Sequence, residues 1–424
     1  MTDKLGTAAR DTFRSLHVRN FRLFFSGQLV SQTGTWLTMV AQTLLVLKLT
    51  DSGVAIGLLT AFQFGPVLVL GAWAGSIADR SDKRKLLIRM QTLAMVQSLA
   101  FAAIVFSGHA TIAVIYALAF VQGIITAFDN PARRAFVVEM VPKEMVTNAI
   151  SLNSTVMTGS RIVGPAAAGL LVVTVGFGWA FLVDGLSYIA VIYGLLLMRS
   201  EELNPSTPTA KAKGQVAEGL RYVRSQPDLF VPLVMMAAVG TFAFNFQVTI
   251  PLLVTGPLGG GEGTFTLLFS ILSLGSMGGA LWTARRTEVD GHQIVVSAAG
   301  FGVTMLLLAL APTLWASFPA AILLGVASIA FMTTSTAIVQ MRAAPEYRGR
   351  VLALQAMVFL GSTPIGGPTV GLIIDAFGPR AGVAVGGLAC LGAAAWGQRA
   401  MRRPAEPVLV DRDTAEAPAL TLTD

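Results

Sequence analysis

The stretch Gly75-Ser76-Ile77-Ala78-Asp79-Arg80-Ser81-Asp82-Lys83-Arg84-Lys85 joins two apolar runs, Val54 to Ala78 and Leu86 to Phe106. Each run is long enough to cross a hydrocarbon layer of about 30 Å as a helix. A short, heavily charged link cannot sit in lipid, so it must lie at a membrane face. Arg80, Lys83, Arg84 and Lys85 point that face toward the cytoplasm, because cytoplasmic links carry the excess of Lys and Arg.

Composition supports the same frame. Only 12% of the 424 residues are charged and 54% are hydrophobic, whereas soluble domains carry about 25% charged residues. That leaves too few charges to cover a globular surface, so the chain reads as an integral membrane protein in contact with a lipid bilayer. A formal charge of +7 would suit nucleic acid, but the cations cluster in short links and not along one amphipathic face. No nucleic-acid partner is expected. Cys390 is the single cysteine, so no intrachain disulfide can form, and His17, His109 and His292 lie in separate links, so no metal site is expected. Nothing resembles a nucleotide-binding loop, which argues against ATP-driven pumping, and no cofactor is expected. No His, Cys or carboxylate constellation lies at one depth, as a membrane-embedded enzyme would need. Met1 to Arg22 is polar and basic, so no removable signal peptide is expected there.

Apolar runs predict twelve spans, near 21–47, 54–78, 86–107, 111–131, 150–174, 178–198, 229–254, 264–284, 292–311, 313–337, 351–374 and 379–398. The fold class is therefore all-α integral membrane. The expected organisation is a cytoplasmic N-terminus at 1–20, a six-helix bundle at 21–198, a cytoplasmic linker at 199–228, a second six-helix bundle at 229–398 and a disordered tail at 399–424. The linker holds Asn204-Pro205-Ser206-Thr207-Pro208, a flexible stretch, then Val216 to Val223, a short helix on the membrane surface. With the N-terminus inside, all but three of the 30 Lys and Arg residues fall in cytoplasmic segments; the exceptions are Lys48, Arg380 and the intramembrane Arg161. That asymmetry places both termini in the cytoplasm. The halves share a signature at one offset: Pro142 matches Pro345, and Gly164-Pro165 matches Gly367-Pro368. It suggests parallel repeats with a site between them.

Gly75-x-x-x-Asp79-Arg80 followed by basic residues resembles the loop between the second and third helices of major facilitator superfamily transporters, with Asp82 where that family usually has Gly. The resemblance implies a twelve-helix fold of two pseudo-symmetric bundles. It also implies an inner gate built from Gly75, Asp79, Arg80, Lys83, Arg84 and Asp129. In that gate Asp79 docks on the amino end of the eleventh helix, near Gly349-Arg350-Val351, and Lys83 pairs with Asp129. On the residues alone, the alternatives are that Asp79 is a solvated topology anchor and that Asp129 caps the turn at Asn130-Pro131.

Arg161, Gly164 and Pro165 lie in the fifth span, in Ser160-Arg161-Ile162-Val163-Gly164-Pro165-Ala166-Ala167-Ala168-Gly169. Small residues let helix backbones approach and Pro kinks the helix. The motif resembles one enriched in exporters of the antiporter type. Gly275, Gly278 and Gly279 are expected to face it, and Gly361, Gly366, Gly367 and Gly371 give the eleventh span a similar small face. An Arg within the bilayer costs about 2.5–3.5 kcal/mol on insertion scales, so Arg161 must face the interior, water or a partner. Asp184, the other charge in the bilayer, either snorkels outward or titrates. Many drug/proton antiporters of the superfamily carry an Arg before Gln-Gly in the fourth span, where this chain has Ala119 before Gln122-Gly123, and an Asp in the first span, where it has Gly34-Thr35-Trp36. That leaves Asp184 as the proton-coupling candidate, with Asp129 at the inner rim.

By resemblance, the first, fourth, seventh and tenth helices line the cavity. They offer Gln28, Ser31, Gln32, Trp36, Gln122, Phe242, Phe244, Asn245, Phe246, Gln247, Thr333 and Thr334. Amides beside aromatics suit an amphipathic small molecule; the same residues also serve ordinary helix packing. Asn20-Phe21-Arg22-Leu23-Phe24-Phe25-Ser26-Gly27-Gln28 and Phe128-Asp129-Asn130-Pro131-Ala132-Arg133 are similar to the bacterial branch of enterobactin exporters and multidrug efflux proteins. The resemblance implies a monomeric inner-membrane exporter of a siderophore, drug or similar molecule, coupled to protons. An uptake permease or a transport-inactive sensor on the same fold are the alternatives.

Overall fold

The computed structural model describes residues 12–204, 215–283 and 290–402. Arg285, Arg286, residues 205–214 of the expected linker and the tail after Arg402 lie outside the described residues, as do Lys4 and Arg10. Twelve helical spans run α1 (Arg19–Leu49), α2 (Gly53–Arg80), α3 (Lys83–Phe106), α4 (Ile112–Glu139), α5 (Val146–Thr174) and α6 (Phe177–Leu196), then α7 (Pro227–Thr255), α8 (Glu262–Thr283), α9 (Gly291–Ala309), α10 (Leu314–Arg342), α11 (Pro345–Phe377) and α12 (Pro379–Arg402). No strand occurs among the described residues. Eleven spans are long and apolar enough to cross a membrane by length and composition. The remaining one, α1, has 31 residues but buries Gln28, Ser31, Gln32, Thr38, Gln42 and Thr43. A helix enclosed by other helices can carry polar groups that lipid would not accept.

The spans fall near the expected positions, with two local differences. Helix α4 runs on through Asn130-Pro131 to Glu139, so Asp129 caps no turn and Arg133 sits inside the helix and not in a link. Arg133 pairs with Asp129 one turn back, which neutralises the charge that would otherwise end the span. Helix α7 is broken into Pro227–Phe242 and Phe246–Thr255.

Helix pairing repeats between the halves. In the first, α1 packs on α5 and α6, α2 on α4, and α3 on α4 and α6. In the second, α7 packs on α11 and α12, α8 on α10, and α9 on α10 and α12. Every pair is the counterpart of one six helices earlier. The halves meet through α2 against α11 and α5 against α8.

Glycines set those crossings. A Cβ on Gly57 would strike the backbone of Gly367 and Pro368, and one on Gly371 the backbone of Gly53. Gly169 abuts Thr266 of α8. The expected partners Gly275 and Gly279 face α10 at Ile322 and Val326, and Gly278 meets nothing within 4 Å, so the small face of α8 serves its own half. The structural counterpart of Gly164, which packs on Trp36, Thr33 and Leu37 of α1, is Gly366, which packs on Thr241 and Asn245 of α7. Gly367 takes the crossing to α2.

The contacts between halves lie toward the end that holds the 50–52 and 378 links, called here the far end. They run from Ser52 with Asp375 to Leu68 with Gly361. Gly71, four turns beyond Gly57 on the same face of α2, has nothing within 4 Å. The halves thus close at the far end and part toward the end that bears the linker.

A helix at Gln215–Ser225 lies within the expected linker. It does not lie free on a membrane surface. Its apolar side joins Val223 and Leu220 to Leu229, Val351 and Leu354, Tyr222 stacks on Tyr347 at 4.2 Å, and Glu218 pairs with Arg350 at 2.7 Å. The amphipathic face is absorbed by the second half.

Candidate functional site

At the linker end, the Gly75–Lys85 loop is tied down mainly by its own half. Asp82 caps α3 by accepting from Lys85 N at 3.1 Å, which explains an Asp where Gly is usual. Arg84 donates to the Leu195 and Leu196 carbonyls at 2.7 and 2.9 Å and so closes the C-terminus of α6. Lys83 pairs with Glu139 at 2.8 Å, both side chains buried. The expected Lys83–Asp129 pair does not form, because the ten residues from Asp129 to Glu139 set Asp129 about 15 Å deeper along α4. Asp79 is half-buried and Arg80 exposed at the end of α2, beyond Gly75. Arg350, expected near the docking point of Asp79, gives its ion pair to Glu218.

Deeper in the first half lies a buried polar layer. Asp129 accepts from Gln91 at 2.7 Å and from Arg133. Gln28 and Gln32 hydrogen-bond along α1 at 3.3 Å, and Gln32 also lies against Arg133. Ser31 is buried on the same helix. These candidates therefore face the interior of their own bundle.

One helical layer further on, Asp184 of α6 is 1% exposed, so it does not snorkel outward. Its Oδ2 accepts from Thr38 and Ser98, each at 2.9 Å, while Oδ1 has no partner. A Cβ on Gly34 would lie 2.6 Å from that Oδ1; the missing side chain of α1 makes room for the carboxylate of α6. Ser98 Oγ is also 2.9 Å from the Phe181 carbonyl. One hydroxyl proton serves one acceptor at a time. Ionised Asp184 takes the Ser98 proton; neutral Asp184 donates to Ser98, whose own proton then goes to Phe181. Both protonation states fit one set of heavy-atom positions. Asp184 opens on a cavity of about 80 Å³ bounded by Thr35, Gln42, Gln63, Gln122 and Tyr188, in which Gln63 donates to Gln42 at 2.6 Å. Gln122 lines this cavity, whose wall also includes Met39.

Across the cleft, Gln247 of α7 donates to Met39 Sδ of α1 at 2.5 Å. Phe244 packs edge-on against Phe301 and Phe359 at 5.1 Å, with Phe246 beside it at 5.9 Å. Phe242 is half-buried against the same core. Asn245 bonds back to the Thr241 carbonyl at 2.6 Å and receives Val248 N and Thr249 N, which stabilises the break in α7. Thr333 bonds Thr283 at 3.3 Å and so joins α10 to α8, and Thr334 is buried. On α5, Pro165 is buried beside Gly164, and the Arg161 guanidinium lies 5.1 Å from the centroid of the Trp36 ring.

Sequence reasoning missed Ser98, Thr38, Gln91, Glu139 and Asp375. Asp375 of α11 accepts from Ser52 Oγ at 2.7 Å and from Gly53 N and Val54 N, at the amino end of α2. A signal was available: Ser52 opens a helix, and an acid ends the glycine-lined face that crosses it.

Comparisons with known proteins agree with this architecture. The chain is 24% identical over 362 residues to the staphyloferrin A transporter of Staphylococcus aureus, covering 84% of this chain and 90% of that one. It is 22% identical to macrolide efflux protein A of Streptococcus pyogenes, covering 86% and 90%. Its fold matches a bacterial homologue of the human lysosomal transporter Spinster, solved in an inward-facing, occupied conformation, with a TM-score of 0.69, 16% identity and coverage of 92% and 97%. The transmembrane secretion effector model matches residues 10–422. A small-molecule transporter of the major facilitator type in a bacterial membrane, the chain belongs to the transmembrane secretion effector family.

Proposed function

We propose that this protein exports a siderophore, drug or other amphipathic small molecule across the inner membrane in exchange for protons, working as a monomer with both termini in the cytoplasm. The observation that carries the coupling is Asp184, an acid enclosed within the spans whose hydroxyl partners accommodate it with or without its proton. Buried ionisable groups in spans mark proton or substrate pathways. The cleft that parts toward the basic linker end receives cytoplasmic substrate in this conformation, and the names of the efflux relatives favour export over uptake. In the opposite conformation the far end opens and the Gly75–Arg84 loop closes, with Asp79 at its docking point on α11 and the Asp129 layer behind it. The test is a substrate screen in inverted vesicles with and without an imposed proton gradient. Gradient-dependent uptake into them supports export; vesicles inert across a broad panel would favour a sensor on the same fold.

A further inference from the structure

Among the described residues, Arg161 has no counter-charge. Successive helix residues turn by about 100°. On α5, Gly164 faces α1 and Gly169 faces α8, while Val163 and Leu170, 54% and 67% exposed, face outward. Arg161 projects on the remaining side, into the cleft between the halves. Its side chain is exposed on that side.

No carboxylate among the described residues pairs with it. Asp129 is engaged by Arg133. Asp184 lies against Gly34, and Gly34 and Trp36 stand on nearly opposite faces of α1. Across the cleft, the spans of the second half carry acids only near their ends, at Asp228, Glu262, Glu346 and Asp375. A cation at mid-depth with no acid in reach is completed by an anion brought from outside the protein.

We propose that Arg161 and Trp36 form the recognition point for the acidic group of an amphipathic organic acid, a carboxylate on an apolar body, which the transporter carries. The proposal rests on the transport reading above. A guanidinium stacked on an indole keeps its edge N–H donors free, and that edge matches a carboxylate. The apolar body has a surface at the same depth: Met39 lies one turn from Trp36 and meets Gln247 of α7 from the other half.

Three probes with one pyrene body separate charge from shape: 1-pyrenebutyrate, its amide and pyrenebutylamine. Their binding to the purified full-length protein is measured by fluorescence polarisation. The acid is expected to bind about tenfold tighter than the amide or the amine, the scale of one charge-assisted pair. Arg161→Gln should abolish that preference and leave amide binding unchanged; Arg161→Lys should restore most of it. Trp36→Phe, which keeps an aromatic face, should reduce the preference for acid over amide without abolishing it, and serves as the second variant if Arg161→Gln fails to fold. Acid binding no tighter than amide binding, or an equal loss of all three in Arg161→Gln, overturns the proposal. Gradient-driven transport of the amide with no preference for the acid would sink the anion site and keep the exporter. A clear acid preference in a protein that transports no probe would do the reverse.

Discussion

The Oδ1 atom of Asp375, in the last turn of α11, lies 2.5 Å from the backbone nitrogen of Gly53 in the first turn of α2. Its Oδ2 accepts from Ser52 Oγ at 2.7 Å and Val54 N at 3.1 Å. One carboxylate of the second half therefore satisfies donors that the amino end of a first-half helix leaves unmatched, and its charge meets the positive end of that helix.

Asp375→Ala removes this latch and should shift the protein toward a state open at the far end. A cysteine at Met39, in a Cys390→Ala background, reports it in whole cells through an impermeant thiol reagent. Labelling should rise about two- to fivefold in Asp375→Ala, the shift expected from losing about 0.3–1 kcal/mol of helix-end interaction. Unchanged labelling would mean that the glycine crossing alone holds the far end shut.

For Asp184, Asp184→Asn should abolish gradient-driven export while substrate exchange down its own gradient persists. Ser98→Ala leaves Asp184 with Thr38 as its donor and removes the alternating hydroxyl, so it should slow coupled export by about a hundredfold, the lower end of the range for a positioned proton-transfer partner. Asp129→Asn loosens Arg133 and Gln91 and should slow both processes together. Gradient-driven export that survives Asp184→Asn would remove it as the proton carrier.

Lys83→Ala removes one half of the buried Lys83–Glu139 ion pair and should cost about 3–5 kcal/mol, whereas Lys83→Met with Glu139→Leu should recover most of that loss. Thermal unfolding of purified protein distinguishes them. An equal loss in the single and double variants would show that packing and not the charge pair sets stability there.

Gly164→Leu drives a side chain into Trp36 and the Thr33 carbonyl, and Gly366→Leu drives one into Thr241. Each should cost about 1–3 kcal/mol by overpacking and reduce folded yield. Gly278→Ala, where a Cβ meets nothing within 4 Å, is the control and should be silent. Full stability of Gly366→Leu would break the equivalence of the two helix pairs.

Single cysteines at Asp51 and Ser225, both exposed, test orientation with the same reagent in whole cells. Labelling at Asp51 and protection at Ser225 is expected from the positive-inside pattern; the reverse would invert the topology and turn the exporter into an importer.

The spans were legible because lipid imposes a length and a composition that each helix must meet locally. Helix α4 outran its expected end because Arg133 looks like a link residue in sequence but is neutralised by Asp129 on the same face. The loop motif was legible as a motif, yet its partner was not: whether Lys83 meets Asp129 or Glu139 depends on the height of α4 against α3. The stretch Gly34-Thr35-Trp36 was read as lacking an acid, and only the packing of α6 on α1 shows Asp184 in the space that Gly34 leaves open. The pairing of Asp375 with Gly53 joins residues 322 apart in sequence; no local periodicity records it.

The crossing of α2 over α11 is paved with Gly53, Gly57, Gly367 and Gly371, so the halves touch backbone to backbone. A surface that must separate and re-form in every cycle loses side-chain freedom each time it closes, and bare backbone has almost none to lose. The joint behaves as a bearing and not as a clasp: resistance to rocking is concentrated in a few polar contacts, so one substitution there can change turnover while the seam remains intact.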